Sequence, residues 1–236
     1  MVNTNDASYI VASCKSWHYE SYIQIKNNTT ESWVWVSNPE ELKRAVSETN
    51  PRYIFFVHWN WFVPESIFNK YQCVCFHMTD VPYGRGGSPL QNLISLGHTN
   101  TKLSALKMIE EMDAGPVYAK KTMSLAGTAQ EIYARAGKLT FDLICWIIKE
   151  APVPEEQVGR ATYFKRRTPD QSEVAKNLSQ NELYDFIRML DAEGYPHAFI
   201  KHGNLKLELT NAKIKDDKTL ASVKIILKDD NNEKQL

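Results

Sequence analysis

The sequence predicts an α/β fold, an open and mostly parallel sheet followed by a small α+β C-terminal subdomain. Two observations carry the first part. Residues 52–59 (RYIFFVHW) and 73–78 (CVCFHM) are nearly unbroken apolar runs, as expected of strands covered on both faces of a parallel sheet. Such runs alternate with stretches of helical period, the pattern of right-handed βαβ crossovers. A third observation sets off the rest: Ala151-Pro152-Val153-Pro154 interrupts the pattern, and a new helical stretch with strand-like runs follows it. The expected division is residues 1–155 and residues 156–236.

Taken in order, residues 8–14 (SYIVASC) and 33–36 (WVWV) are rich in strand formers. Asn38-Pro39-Glu40-Glu41 supplies an N-cap, a proline at the first helical position and early acids, and Leu42, Ala45 and Val46 follow at helical spacing. After the two apolar strands comes a loop, TDVPYGRGG. Ser88-Pro89 then starts a short helix with Leu90, Leu93 and Ile94 on one face, ended by Gly97. Residues 102–108 and 116–123 read as strands. Thr128-Ala129-Gln130-Glu131 fits a capping box, and Ile132, Ala136, Leu139, Leu143 and Ile147 then step by three and four along a long amphipathic helix. In the C-terminal part, residues 181–190 read as a helix closed by Gly194. Residues 198–201 and 205–209 read as strands about a Gly203-Asn204 turn, the alternation Leu205, Leu207, Leu209 suiting a one-sided sheet. The terminal residues 228–236 (KDDNNEKQL) are expected to fray.

Charge and cysteine content narrow the function. Lysine plus arginine equals aspartate plus glutamate at 28 each, which argues against a nucleic-acid partner held by bulk charge. No apolar run reaches the roughly 20 residues that cross a bilayer as a helix. The first residues lack a signal-peptide pattern. Four cysteines in apolar context point to a reducing, cytoplasmic setting, not a disulfide framework.

The chemistry-bearing candidates sit where strands end. In open α/β sheets ligands bind beyond the carboxyl ends of the strands, and His58 and His77 both occupy such ends. Asp113 lies in the loop MDAGPVY before a further strand. The three converge on one crevice if the strands are neighbours, and a histidine beside a carboxylate is a general acid/base pair. Taken alone, each has a plainer reading: a histidine bonded to backbone, an aspartate forming a turn. The loop Tyr83-Gly84-Arg85-Gly86-Gly87-Ser88-Pro89 permits close approach of a ligand and runs into a helix N-terminus, which favours anions. Trp59, Trp61 and Phe62 could wall a flat heteroaromatic ligand or simply pack. Cys73, Cys75 and His77 share one strand face, yet they diverge too little for a tetrahedral metal site, so no metal is expected.

Residues 76–94 (FHMTDVPYGRGGSPLQNLI), followed by 110–118 (EEMDAGPVY), resemble the formyltransferase family. Residues 161–174 (ATYFKRRTPDQSEV) and 183–200 (LYDFIRMLDAEGYPHAFI) look like the C-terminal part of its sugar-modifying members, the group tied to pseudaminic-acid-type pathways. The likeness runs over residues 50–210. It implies a Rossmann-like catalytic domain and transfer of a formyl group from 10-formyltetrahydrofolate to an amine of an amino sugar, nucleotide-linked. By this resemblance His77 and Asp113 are the catalytic pair, and Trp61, Phe62 and Val63, with Asp113, bind the folate. Tyr83, Arg85, Gly86, Gly87, Ser88 and Pro89 lie where the acceptor approaches. One position departs from the pattern. The family asparagine, two before the histidine and a donor to the oxygen of the tetrahedral intermediate, is Cys75 here. A thiol is a poor donor, so Asn60 or a backbone N–H is the replacement to look for. A homodimer stays open, as do three other activities: formyltetrahydrofolate hydrolysis, methionyl-tRNA formylation, and nucleotide-sugar binding without catalysis.

Overall fold

The computed structural model describes residues 8–227, so the tail at 228–236 lies outside the described residues. The first apolar run forms β1 (Ser8–Ala12), with all five residues buried. A strand covered on both faces belongs inside a sheet. Accordingly β1 pairs in parallel with β2 (Ser32–Val36) on one side and β3 (Tyr53–Phe56) on the other. Next, β3 pairs in parallel with β4 (Gln72–His77), placing Phe56 beside Cys75. These four strands are the parallel part that the sequence predicts.

The sheet then changes direction. β6 (Asn100–Lys107) runs antiparallel to β4 with Ser104 opposite His77, and β7 (Val117–Ser124) completes a six-stranded sheet of order β2-β1-β3-β4-β6-β7. The sheet is therefore mostly parallel with an antiparallel flank. Apolar runs alone do not report strand direction.

α2 (Pro39–Thr49) begins as its sequence dictates. Asn38 Oδ1 accepts the Glu41 N–H at 2.9 Å, and Glu41 Oε2 accepts the Ser37 N–H at 2.7 Å. Its Leu42 and Ala45 join a core built from Ile10, Ala12, Ile54, Phe56 and Cys73 of the sheet, together with Val63 and Phe68. Phe68 ends the one-turn α3 (Glu65–Phe68). Each large apolar side chain buried there contributes about 1.5–3 kcal/mol. α1 (Tyr19–Asn27) is not predicted from sequence. It buries only Tyr22 and Ile25 and has no side-chain N-cap, so its periodic signal is weak. α5 (Ala129–Glu150) opens with the expected capping box: the Thr128 N–H donates to Glu131 Oε2 at 2.8 Å. It buries Ile132, Ala136, Leu143 and Ile147.

The chain divides into two compact units. Among the described residues, one comprises 8–89, 101–123 and 134–164; the other comprises 90–100, 124–133 and 165–227. The first holds the parallel strands. It also holds a two-stranded parallel ribbon of β5 (Arg85–Gly86) and β8 (Tyr163–Phe164), which ties the glycine-rich loop to residues nearly eighty positions later.

In the second unit, the short helix α4 (Pro89–Ser95) contributes Gln91, whose amide donates to Tyr133 Oη at 3.2 Å and to Met189 O at 3.0 Å. There α6 (Gln180–Arg188) starts from a Ser179–Glu182 capping box and lies against an antiparallel sheet. The sheet has the order β11-β10-β9, from β9 (Ala198–His202), β10 (Leu205–Lys215) and β11 (Lys218–Leu227). β11 and the far half of β10 escape the sequence reading. β11 mixes charged residues with the apolar run Val223–Leu227, and its apolar side chains Val223, Ile225 and Leu227 are exposed, so no one-sided burial marks it; it is ordered by pairing with β10.

Candidate active site

His77 is the last residue of β4, and its ring is 6% exposed. Two side chains of β6 fix the backbone just beyond it. Thr101 Oγ1 donates to Met78 O at 2.9 Å and Ser104 Oγ donates to Thr79 O at 2.6 Å. The chain then turns through a cis Val81–Pro82 bond, with Asp80 gripped by Lys102 at 2.9 Å and Lys120 at 2.6 Å. This returns the glycine-rich loop over the histidine.

The loop touches the imidazole directly. His77 Nε2 lies 2.8 Å from Gly84 O. A carbonyl oxygen only accepts, so Nε2 carries the hydrogen and Nδ1 is left for the other neighbour. That neighbour is Asp113, whose Oδ2 is 3.5 Å from Nδ1. The same Oδ2 accepts the Gly86 N–H at 2.9 Å. Among the described residues, Oδ1 of Asp113 accepts no hydrogen bond. Asp113 sits at φ +54°, a left-handed conformation uncommon for a side-chain-bearing residue and concentrated at functional positions.

Two glycines make this approach possible. A Cβ on Gly86, at φ +100°, would lie 2.5 Å from Phe164 O, and one on Gly115 would lie 1.8 Å from Lys107 O. Neither oxygen can give way without breaking backbone pairing, so both positions exclude a side chain. The Asp-Ala-Gly run is thus explained: the glycine lets the turn close on β6, and the turn presents the aspartate.

Cys75 lies on the same strand face as His77, two residues back. Burial pushes its thiol up well above the ordinary cysteine range, and the Asp113 carboxylate and Cys73 push the same way. Burial likewise holds Cys73 at about 12. Both are neutral thiols. Among the described residues no group of three or more His, Cys, Asp or Glu could hold a metal ion.

The segment after β3 is more exposed. Trp61 is 43% exposed and Phe62 77%, whereas Val63 is buried in the core. Trp59 stands edge-on to Trp61 at 4.9 Å between ring centroids, and its Nε1 is buried without a hydrogen-bond partner. A donor with no partner among the described residues, next to the exposed Trp61 ring, fits a flat ligand that carries acceptors.

Of the remaining loop residues, several pack on residues 162–164. Tyr83 packs edge-on against Phe164 at 5.6 Å. The Gly84 N–H donates to Thr162 Oγ1 at 2.7 Å and the Gly87 N–H to Phe164 O at 3.2 Å. Ser88 adopts φ +51°, and Pro89 is the first residue of α4. The Arg85 guanidinium, its side chain 11% exposed, donates to Glu111 Oε1 at 2.9 Å and to Gln157 Oε1 from both Nε, at 3.2 Å, and Nη2, at 2.9 Å.

The expectation that His58 joins His77 and Asp113 is corrected. His58 pairs with His18, Nδ1 to Nε2 at 3.0 Å, with the rings stacked at 5.3 Å. His58 lies two residues beyond β3 in a left-handed conformation, φ +54°, which fixes the direction of that side chain. Asn60, considered as a stand-in for the family amide, is exposed, and no side-chain hydrogen bond of it is seen among the described residues. Gln157 was not foreseen. It lies in a stretch that reads as linker, and no local pattern marks a residue that acts by reaching three separate segments.

Comparison with known proteins agrees with this architecture. Residues 169–226 match the family model described as methionyl-tRNA formyltransferase, C-terminal domain. A curated methionyl-tRNA formyltransferase of Sulfurihydrogenibium sp. (strain YO3AOP1) is 26% identical over 189 residues, 76% of this chain and 60% of that protein. Another, of Malacoplasma penetrans (strain HF-2), is 22% identical, and the chain spans 56% of its length. Among solved structures, a 4-N formyltransferase from Francisella tularensis shares the fold at a TM-score of 0.70 and 15% identity, over 89% of this chain and all of that one. A protein described as methionyl-tRNA formyltransferase from Clostridium thermocellum superposes at a TM-score of 0.91 with 44% identity, covering 94% of this chain and 99% of that one. Identity at that level over both full lengths leaves one family for the fold and the sequence alike, and the chain belongs to the formyltransferases.

Proposed function

We propose that this chain is a folate-dependent N-formyltransferase that takes the formyl group of 10-formyltetrahydrofolate and places it on the amine of a small amino sugar, nucleotide-linked. The observation that carries the reading is the state of Asp113. One carboxylate oxygen is held by the Gly86 N–H at 2.9 Å and faces His77 at 3.5 Å, while the other accepts no hydrogen bond among the described residues. A carboxylate so placed can take a proton from an attacking amine. 10-Formyltetrahydrofolate supplies an activated formyl group when bound.

The residues of the chain then divide the work. Trp61 and Phe62, with the unpaired Nε1 of Trp59, offer the donor a flat apolar wall and one hydrogen bond. Asp113 receives the amine proton as the new bond to the formyl carbon forms and returns it to the folate nitrogen whose bond to that carbon breaks, while His77 faces the carboxylate through Nδ1. Cys75 offers no amide and both ring nitrogens of His77 are engaged, by Gly84 O and by Asp113, so the charge developing on the formyl oxygen falls to backbone N–H donors. Arg85, with a side chain mostly covered but ending in the loop, is the cation nearest Asp113 in the network and suits an anionic part of the acceptor.

The balance of 28 basic and 28 acidic residues, and the sugar-type stretches at 161–174 and 183–200, support a small acceptor over a nucleic acid. Three observations favour a second reading, methionyl-tRNA formylation: the 44% identical solved protein carries that description, the curated relatives carry the same name, and residues 169–226 match the model of that enzyme's C-terminal domain. A single assay separates the two. The protein is incubated with 10-formyltetrahydrofolate and one of three acceptors: a UDP-linked 4-amino-4,6-dideoxyhexose, methionyl-tRNA, or water alone. Products are read by mass for an added formyl group and folate release is followed by absorbance. Formylated sugar is expected. Formyl-methionyl-tRNA alone would transfer the assignment to the second reading, and folate release without an amine would make the protein a hydrolase. A His77→Ala variant transferring at the parent rate would remove the site assignment.

A further inference from the structure

We infer that Gln157 is a positioning residue for Asp113, fixing the catalytic carboxylate through its backbone and linking it to Arg85. The inference rests on the proposed function above, in which Asp113 takes the amine proton.

The geometry is complete at one amide. Gln157 Nε2 donates to Asp113 O at 2.8 Å and to Gly115 O at 2.8 Å. Its Oε1 accepts from Arg85 Nε at 3.2 Å and from Arg85 Nη2 at 2.9 Å. Two donors and two lone pairs are the full capacity of a side-chain amide, so nothing is left over for another role. The orientation is unambiguous. Carbonyl oxygens only accept and guanidinium only donates, so a flipped amide would lose all four bonds.

Gln157 is itself anchored on both sides. Two residues before it, Glu155 exchanges hydrogen bonds with Val117 at 2.7 and 2.9 Å, which fixes the segment to β7, the strand that follows the Asp113 loop. Five residues after it, Thr162 O accepts the Arg85 N–H at 2.9 Å and Thr162 Oγ1 accepts the Gly84 N–H. The amide therefore spans the loop that carries Asp113 and the loop that caps His77. Asp113 takes the left-handed φ of +54°, which aspartate tolerates, and the Gln157 amide on its carbonyl holds the turn in that conformation. Asparagine at 157 would be one methylene too short to reach both loops. Glutamate would keep the Arg85 contacts and present two acceptors to two carbonyls.

The test compares Gln157→Met and Gln157→Glu with Asp113→Asn and the double variant Asp113→Asn/Gln157→Met, all in the full chain. The first readout is turnover of 10-formyltetrahydrofolate with whichever acceptor the three-arm assay formylates. Both Gln157 variants are expected to lose about 10²-fold in kcat with little change in KM for the folate, the scale of misplacing a catalytic group by about an ångström. Adding Gln157→Met to Asp113→Asn should cost little more, because the first change acts only through the residue already removed. The second readout needs no acceptor: the imidazole ¹⁵N shifts of His77 in the ligand-free protein, which should move in Gln157→Met toward those of Asp113→Asn.

A Gln157→Met protein with parent kcat and parent His77 shifts overturns the inference while leaving the Asp113 assignment intact. So does a loss confined to acceptor KM, which would make Gln157 a support for Arg85 alone. Asp113→Asn turning over at the parent rate would instead defeat the underlying reading of the site.

Discussion

Acidification should destabilise this protein through two histidines that have nothing to do with the proposed chemistry. His18 is 2% exposed, and burial, with the nearby Lys15 cation, lowers its pKa from 6.5 to about 4. His58 is lowered to about 3 by burial first, then by His18 and Lys15. The rings share one hydrogen bond, Nε2 of His18 to Nδ1 of His58 at 3.0 Å, which needs one nitrogen bare. The unfolded chain binds protons on both rings below about 6.5, whereas the folded chain resists until pH 4 or lower, so stability is full above 6.5 and falls as pH drops. Between pH 7.5 and pH 5 the loss is about 2 kcal/mol for each ring. For the pair that is a large part of the 5–15 kcal/mol typical of a whole domain. Lys15 and the Cys14 thiol, which donates to His58 O at 2.7 Å, face the pair, with Trp17, Gly137 and Phe141 around the rings. Urea unfolding at a series of pH values gives ΔG directly. The parent midpoint should fall steeply between pH 6.5 and 4.5. A His18→Gln/His58→Asn variant should show a flatter profile, the asparagine tolerating the left-handed backbone at 58. Equal pH slopes in parent and variant would refute the assignment of the acid sensitivity to this pair.

Three further outcomes follow from the same geometry. Cys75→Asn restores an amide donor beside His77, and where one oxyanion donor is the missing element, single-turnover rates of folate consumption should rise by about 10²-fold; no change would show that another group already fills that role. Gly115→Ala places a methyl 1.8 Å from Lys107 O, so the variant should lose on the order of 4 kcal/mol or fail to accumulate folded, read by thermal melting and soluble yield. Ser179→Ala removes a capping box in which Ser179 Oγ accepts the Glu182 N–H at 3.3 Å and donates to Glu182 Oε2 at 2.6 Å; a loss of about 1 kcal/mol in chemical denaturation is expected, with formyl transfer unchanged.

The family was legible in the sequence, and the proposed pair His77 and Asp113, singled out by the resemblance, lies within 3.5 Å in the structure. His77 ends a strand that must be apolar on both faces. Asp113 stands two residues before Gly115, a glycine the backbone of β6 requires. Trp61 and Phe62 stood out as large apolar residues in a segment with no helical or strand period to absorb them, and both are exposed in the structure. Gln157 had no such mark. Its role comes from four hydrogen bonds to Arg85, Asp113 and Gly115, none of them within forty positions of it, and a single glutamine in a polar stretch carries no trace of them.

The chain by itself determined which segments become strands and helices wherever burial is one-sided or complete: β1, β3 and β4 as unbroken apolar runs, and α2 and α5 as capped amphipathic helices. These choices follow from solvation and backbone capping, which act over a few residues. Only the tertiary structure decided the antiparallel turn of the sheet at β6, the diversion of His58 to His18, and the length of β10 and β11. Each is settled by a partner distant in sequence: Ser104 opposite His77, His18 forty residues before His58, and the β10 ladder that orders polar residues into a strand. Where a residue's conformation depends on what lies across from it, the neighbouring sequence holds no record of the choice.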